Sequence, residues 1–296
     1  MDIFKTSTGI SKIHDITTAN YEVYTRKRPP YRRDHHGKSS YYAVCPECEN
    51  PIQLIGLFKD TKEAKRRPYG RHHGSSIPNL AEYDEQDYID CRLSDPNWTA
   101  ADGKRNPTSR VAVNTLAIVR EQFDRVIYIL NKQTGLSIRY NLAKKMLMAY
   151  ISDEGWLFRY ATMNNIPWIF AQCSPSIPLF GQLIKKDSEL HKNIKENCST
   201  VRFEEEGSYV RIKQAENQYV NLYCLFLNHE THLSDDHLIE TIEFWVYEEI
   251  GKTREPVTIL KKVLPIETDY FMNLIQADKN SKNRSKNLLS LAAELL

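Results

Sequence analysis

Cys45 and Cys48 stand in C-x2-C spacing within Tyr41–Phe58, YYAVCPECENPIQLIGLF. That spacing lets two thiolates of one turn reach the same tetrahedral ion, and Pro46 stiffens the turn. The remaining ligands must come from farther along the chain, where His72, His73 and Cys91 follow. Either histidine completes a Cys3His set, soft enough and of the right number for structural zinc. His35 and His36, just upstream of Cys45, compete for the same place. One zinc ion is the expected cofactor.

A second feature is cationic. Residues 25–38, TRKRPPYRRDHHGK, place Arg26, Lys27, Arg28, Arg32, Arg33 and Lys38 around Tyr31, with Tyr24 just before. Guanidinium forks match phosphate oxygens and tyrosine faces stack on bases, so the pattern is that of a DNA or RNA contact. Pro29-Pro30 bars a regular helix and predicts an extended arm. Net charge is only +2, but residues 1–75 carry 14 Lys and Arg against 8 Asp and Glu, whereas 76–100 carry one Arg against six acids. An electrostatic surface therefore belongs to the N-terminal quarter. Asp34-His35-His36 also imitates the cluster of a metal-dependent phosphoesterase, although a basic loop containing histidines explains it with fewer requirements.

CPECENPI followed by PYGRHHG resembles the zinc module that precedes the nuclease domain in CoiA-like competence proteins. The similarity spans residues 42–73. It implies a zinc site on the CPxC turn. The chain departs from the family by reading Tyr69-Gly70-Arg71-His72 where an aromatic is favoured between histidines, and no acid-x-Lys strand follows, so the resemblance implies zinc more than nuclease activity.

Other chemistries lack their signatures. His229-Glu230-Thr231-His232 is not the H-E-x-x-H of zinc peptidases, and capping or surface roles account for it. Cys173, Cys198 and Cys224 share no spacing and are expected as thiols. There is no Walker, Rossmann or G-x-S-x-G motif, and 11 glycines leave little scope for phosphate-cradling loops. No apolar run is long enough to span a membrane and no leader is evident, so a cytoplasmic protein without membrane contact is expected.

The elements that must position these residues follow from periodicity. Two strands flank the CPxC turn, and a short helix is expected between Asn79 and Cys91. Ser94–Ser109, rich in Pro, Gly, Asn and Asp, reads as a linker. Arg110–Thr134 has apolar residues at three- and four-residue steps, a cap at Ser109 and a stop at Gly135, and a second helix from Ser137 to Asp153 makes a helical hairpin. Trp156–Phe180 is divided by prolines into short turns, and Gln182–Cys198 reads as a helix. Thr200–Glu205, Ser208–Gln214 and Gln218–Asn228 alternate as three sequential antiparallel strands. Ser234, Asp235 and Asp236 look like the cap of a helix carrying Leu238, Ile242, Trp245 and Val246, followed by a strand at Val257–Leu264 and a helix from Thr268. LLSLAAELL at the end requires a partner surface in this chain or another.

The expected fold is α+β: a zinc-ribbon-like basic module over residues 1–93, a linker over 94–109, and a domain over 110–296 with a helical hairpin and an antiparallel sheet under covering helices. The favoured function is a non-catalytic, zinc-containing nucleic-acid-binding protein. A metal-dependent nuclease and a protein-interaction adaptor, binding a partner protein or a second copy, are the alternatives.

Overall fold

The structure, a computed structural model, describes residues 1–9, 12–35, 37–58, 67–94, 103–215, 220–234, 237–250, 255–276 and 284–296. Its N-terminal part is an antiparallel sheet of β1 (Ile3–Lys5), β2 (Ile13–Asp15), β3 (Arg32–His35), β4 (Lys38–Val44), β5 (Pro51–Ile55) and β6 (Tyr69–His72). The order is β2-β1-β4-β5-β6, with β3 also paired to β4. Helix α1 (Thr18–Thr25) starts on Thr17, whose side chain accepts from Asn20 N–H, and lays Tyr21 into the core. Alternation along β4 and β5 sends Ala43, Cys45, Ile52 and Leu54 to one face with Phe4, Ile16 and Tyr21, while Tyr42 and Val44 meet Ile77, Leu80 and Ala81 on the other.

That second cluster explains why the helix after Pro78 begins late. Residues 77–81 form a turn with Asn79 at φ 65° and tuck their apolar side chains onto the sheet. Helix α2 (Glu85–Ile89) starts only where Asp84 caps it by accepting from Asp87 N–H.

The larger part begins with α3 (Arg110–Thr134), capped by Ser109 and ended by Gly135 at φ 78° as the sequence pattern requires, with non-helical angles at Gln122. Then come α4 (Tyr140–Ser152), a one-turn 3-10 helix (Gly155–Leu157), α5 (Ile166–Gln172), β7 (Ile177–Pro178), β8 (Leu183–Lys185) and α6 (Glu189–Asn197). Gln182–Cys198 is thus a strand and a shorter helix. The strand arises because Leu183 and Ile184 pair with Arg211 and Val210. The remaining elements are β9 (Val201–Glu206), β10 (Tyr209–Gln214), β11 (Val220–Ser234), β12 (His237–Ile250), β13 (Val257–Pro265), α7 (Thr268–Gln276) and α8 (Lys286–Leu295).

Two further expectations are corrected here. The strands expected in sequence divide between two sheets, β8-β10-β9 and β13-β12-β11-β7. The helix expected after Ser234 is the long strand β12, whose Ile242, Phe244 and Val246 are all buried at period two against the helical layer. Asp235 and Asp236, the proposed cap, and the turn at Glu216-Asn217 lie outside the described residues.

Helices α3 and α4 do not close as a simple hairpin. Each packs on α5 and on α8, which join them. The C-terminal LLSLAAELL therefore finds its surface within this chain, held at its start by Arg284, whose Nε and Nη2 bond both oxygens of Asp124 at 2.7 and 2.8 Å. Within 103–109, the described end of the expected linker, Arg105 is buried and its Nη2 donates to the carbonyls of Arg159 and Ala161. The architecture is mixed α and β with antiparallel sheets, and among the described residues no helix is long and apolar enough to cross a membrane.

Gly155 provides a test of this packing. A Cβ there would run into the ring of Tyr150 and lie 2.8 Å from Cys173 Sγ, all in the core. Gly155→Ala should lower stability by about 1–3 kcal/mol, the usual cost of overpacking, read as a lower denaturation midpoint at unchanged m-value.

Candidate metal centre

The turn from β4 to β5 presents the first two thiols. Cys45 N–H donates to the Asn50 carbonyl at 2.8 Å and Glu49 N–H to the Cys45 carbonyl at 3.1 Å. Glu49 closes the turn at φ 61°, a left-handed conformation costing a non-glycine residue about 1–2 kcal/mol. A buried ion pair holds it there: Glu49 Oε1 accepts from Lys5 Nζ at 2.8 Å and from Gly9 N–H at 2.7 Å.

β6 and the end of α2 supply the other two groups. Cys45 Sγ lies 3.8 Å from Cys91 Sγ, and Cys48 Sγ 3.3 Å from His72 Nε2. The four donor atoms all fall within 4.8 Å of one another, with the three cysteines buried and His72 half-buried. The group can hold a metal ion.

Sheet register selects the histidine. His72 is opposite Ile52 on the core-facing side of the sheet, its ring edge-on to Tyr88 of α2 at 5.3 Å. His73, one residue on, turns to the opposite side and packs against Tyr42 at 5.3 Å, so it does not join the group. Burial lowers the His73 pKa, and the nearby Arg33 and Arg71 lower it further.

Three supporting residues were not singled out by sequence reasoning. Asn50, wholly buried, donates from Nδ2 to Cys48 Sγ at 3.4 Å and to the Asp84 carbonyl at 3.0 Å, and accepts from Asp84 N–H at 2.7 Å. It thereby fastens the knuckle to the cap of the helix that delivers Cys91. Glu47 Oε2 accepts from Leu93 N–H at 3.1 Å and from the Cys91 thiol at 3.4 Å. Tyr88 braces His72. The available signal was adjacency, since Glu47 and Asn50 lie inside or next to the CPxC turn.

The electrostatics favour thiolate at one sulfur. Burial opposes ionisation of Cys45, but hydrogen bonds from Cys48, Cys91 and His72 outweigh it and bring the thiol well below its ordinary range. Burial and the neighbouring Cys45 push Cys48 and Cys91 up. Burial first, then the charge on Cys45, raises the Glu47 carboxyl to about 7, against the pull of Arg105 and Arg92.

The basic stretch does not form an extended arm. Arg26 and Lys27 take left-handed angles in the turn after α1, and Lys27 pairs with Glu22 at 2.6 Å. Tyr31 is half-buried, its hydroxyl donating to the Thr6 carbonyl at 2.9 Å, so its ring is not a free stacking face. Arg32 and Arg33 fall on opposite sides of the β3–β4 hairpin. Arg32 pairs with Asp34, while Arg33 lies 6.0 Å over the Tyr42 ring. Arg33, Gln53, Arg71 and His73 consequently share the sheet face away from the metal ligands. Arg26, Arg28 and Lys38 are exposed. His36, the side chain of His35 and residues 59–66 of the second basic run lie outside the described residues. At His229 the imidazole faces inward, bonding Glu240 at 3.0 Å instead of capping a helix.

The chain matches no family model, no curated protein and no solved structure.

Loss of a hydrogen-bonding partner around ligands commonly costs about 10–100-fold in metal affinity, so Asn50→Ala should weaken binding by that factor in competition with a chromophoric chelator. Glu85→Gln, on the exposed side of α2, should leave affinity unchanged.

Proposed function

We propose that the chain is a zinc-containing, non-catalytic nucleic-acid-binding protein. The zinc assignment is carried by donor geometry. Two sulfurs bound 2.3 Å from one tetrahedral zinc stand about 3.8 Å apart, and a sulfur and an imidazole nitrogen about 3.6 Å. The sulfurs of Cys45 and Cys91 stand at 3.8 Å, and Cys48 Sγ and His72 Nε2 at 3.3 Å. Four protein ligands complete the tetrahedron, the closed arrangement of a structural ion. In this reading Cys45, Cys48, His72 and Cys91 tie the hairpin, β6 and α2 together, in line with the zinc module that the CPxC segment resembles.

The nucleic-acid reading rests on where the sheet displays its cations. Arg33 on β3 and Arg71 on β6 project from one face of the sheet, separated by β4 and β5, with Gln53 of β5 on the same face and His73 close enough to feel both charges. Arg26, Arg28 and Lys38 lie in the adjoining turn and hairpin. Forked donors at this density suit phosphate oxygens, and the rigid sheet holds them at fixed spacing. A closed metal site leaves binding, and not hydrolysis, as the activity of this surface.

Purified protein should contain about one zinc per chain, and Cys48→Ser should release it and unfold the N-terminal sheet, because binding energy at such a site is folding energy. A metal-free wild type, or full occupancy in Cys48→Ser, would falsify the site.

Duplex DNA affinity should fall linearly in log-log against salt, without a need for magnesium and without strand cleavage. Arg33→Gln with Arg71→Gln should make the slope shallower by about 1.8, from two phosphate contacts at about 0.9 each, whereas Arg32→Gln on the other face should change it little. Superimposable curves for wild type and the double variant would move the function to a protein-interaction adaptor; metal-dependent cleavage would move it to a nuclease.

A further inference from the structure

Cys91 and Arg92, consecutive residues after α2, serve opposite sides. Cys91 enters the metal donor set, while Arg92 runs into the larger part, where its Nη1 donates to Glu240 Oε1 on β12 at 2.8 Å. The other Glu240 oxygen accepts from Asn165 Nδ2 at 2.9 Å and His229 Nε2 at 3.0 Å. His229 reaches inward because the β11–β12 register slips between Leu227 and Glu230, with Asn228 at φ 52°. This carboxylate and Arg92 are both more than nine-tenths enclosed, so the pair is maintained only while the segment bearing Arg92 is in place.

Residues 84–93 form a strap with attachments on both sides. Toward the larger part, Asp87 accepts from Arg110 N–H at 2.6 Å and pairs with Arg110 Nε at 3.1 Å at the start of α3. Arg92 Nη1 also reaches the Tyr160 carbonyl at 3.5 Å. Toward the knuckle, the attachments are the Asn50–Asp84 bonds, the Glu47–Leu93 bond and the Cys91 sulfur.

We propose that the metal at Cys45, Cys48, His72 and Cys91 is a clasp between the two parts: its occupancy holds the strap so that Arg92 stays on Glu240, and its loss opens that buried pair. The inference rests on the metal reading above and adds to it a coupling to a site on β12. Without coordination, the strap keeps its hydrogen bonds to the knuckle and the packing of Tyr88, Cys91 and Leu93, but the chain entropy of ordering it is no longer offset by metal binding. Within the larger part, the consequence should be local, concentrated at 159–165 and at the Glu240 end of the β11–β12 ribbon.

Hydrogen exchange by mass spectrometry on the full chain tests this. Metal content is measured first; the protein is then compared before and after removal of the ion with a chelator. Peptides covering 159–165 and 237–242 should exchange about tenfold faster after metal removal, while α6 and β13 change less than about twofold. Glu240→Gln should speed the same peptides with the ion still bound, which separates the buried pair from the coordination itself. Unchanged exchange at 159–165 and 237–242 after complete metal removal overturns the clasp and leaves the metal site standing. Equal acceleration of every segment also overturns it, since the parts then share one cooperative core. A chain purified without metal removes the site and the clasp together, and elemental analysis shows this before any chelator is added.

Discussion

A charge cannot be left alone in a protein interior, and much of the arrangement of this chain follows from that constraint. Glu240, Glu49, Glu47 and Asp87 are all buried, and each is met by donors from distant sequence: Arg92, Asn165 and His229 around Glu240, Lys5 and Gly9 around Glu49, Leu93 at Glu47, Arg110 at Asp87. Removing one partner of such a pair costs about 3–5 kcal/mol, because the remaining charge stays out of water. These bonds fix where the turn bearing Cys45 and Cys48, α2 and the large ribbon sit relative to one another more specifically than apolar contact does. Hydrophobic residues tolerate sliding; a carboxylate with three donors does not.

The donor set was partly legible because metal chemistry imposes short-range spacing. C-x2-C is a local requirement of one turn, so Cys45 and Cys48 stand out in the sequence. Choosing between His72 and His73 needed information that the histidines themselves do not carry. It lies in the register of β6 against β5, where a period of two sends adjacent residues to opposite faces. The supporting groups were harder still. Asn50 and Glu47 are ordinary polar residues in sequence, and become informative only when burial forces each to find a partner.

Helices with a clear apolar stripe and both caps were readable, as α3 shows. β12 was misread for a physical reason: Ile242, Trp245 and Val246 fit a helical repeat, while Ile242, Phe244 and Val246 fit alternation equally well. The tie is broken by pairing along most of its length with β11 and β13, a long-range contribution that no local window contains. Leu183–Lys185 reflects the same competition, since three residues become a strand only because β10 offers an edge. The basic stretch failed differently. Its composition suggested a free arm, but Tyr31 and Arg33 bury or stack their apolar surfaces on the sheet, and long cationic side chains readily do so while leaving their charged ends toward water.

The distribution of arginines completes the electrostatic logic. Two of them, Arg92 and Arg105, are buried behind the knuckle, where their charge acts on Glu47 and where Arg105 also bonds the carbonyls of Arg159 and Ala161. Three thiolates on one divalent ion would leave a net negative charge in this interior, and a positive neighbourhood offsets it at the place where water cannot. Arg33 and Arg71 lie on the far face of the same sheet, beside the half-buried His73, whose pKa is lowered by burial and by both cations. With its pKa lowered, His73 does not add a third positive charge beside the two guanidinium groups. The cations thus fall into two sets, Arg92 and Arg105 behind the knuckle, where they offset buried negative charge, and Arg33 and Arg71 on the opposite face of the sheet, where Arg71 is exposed and Arg33 half-buried.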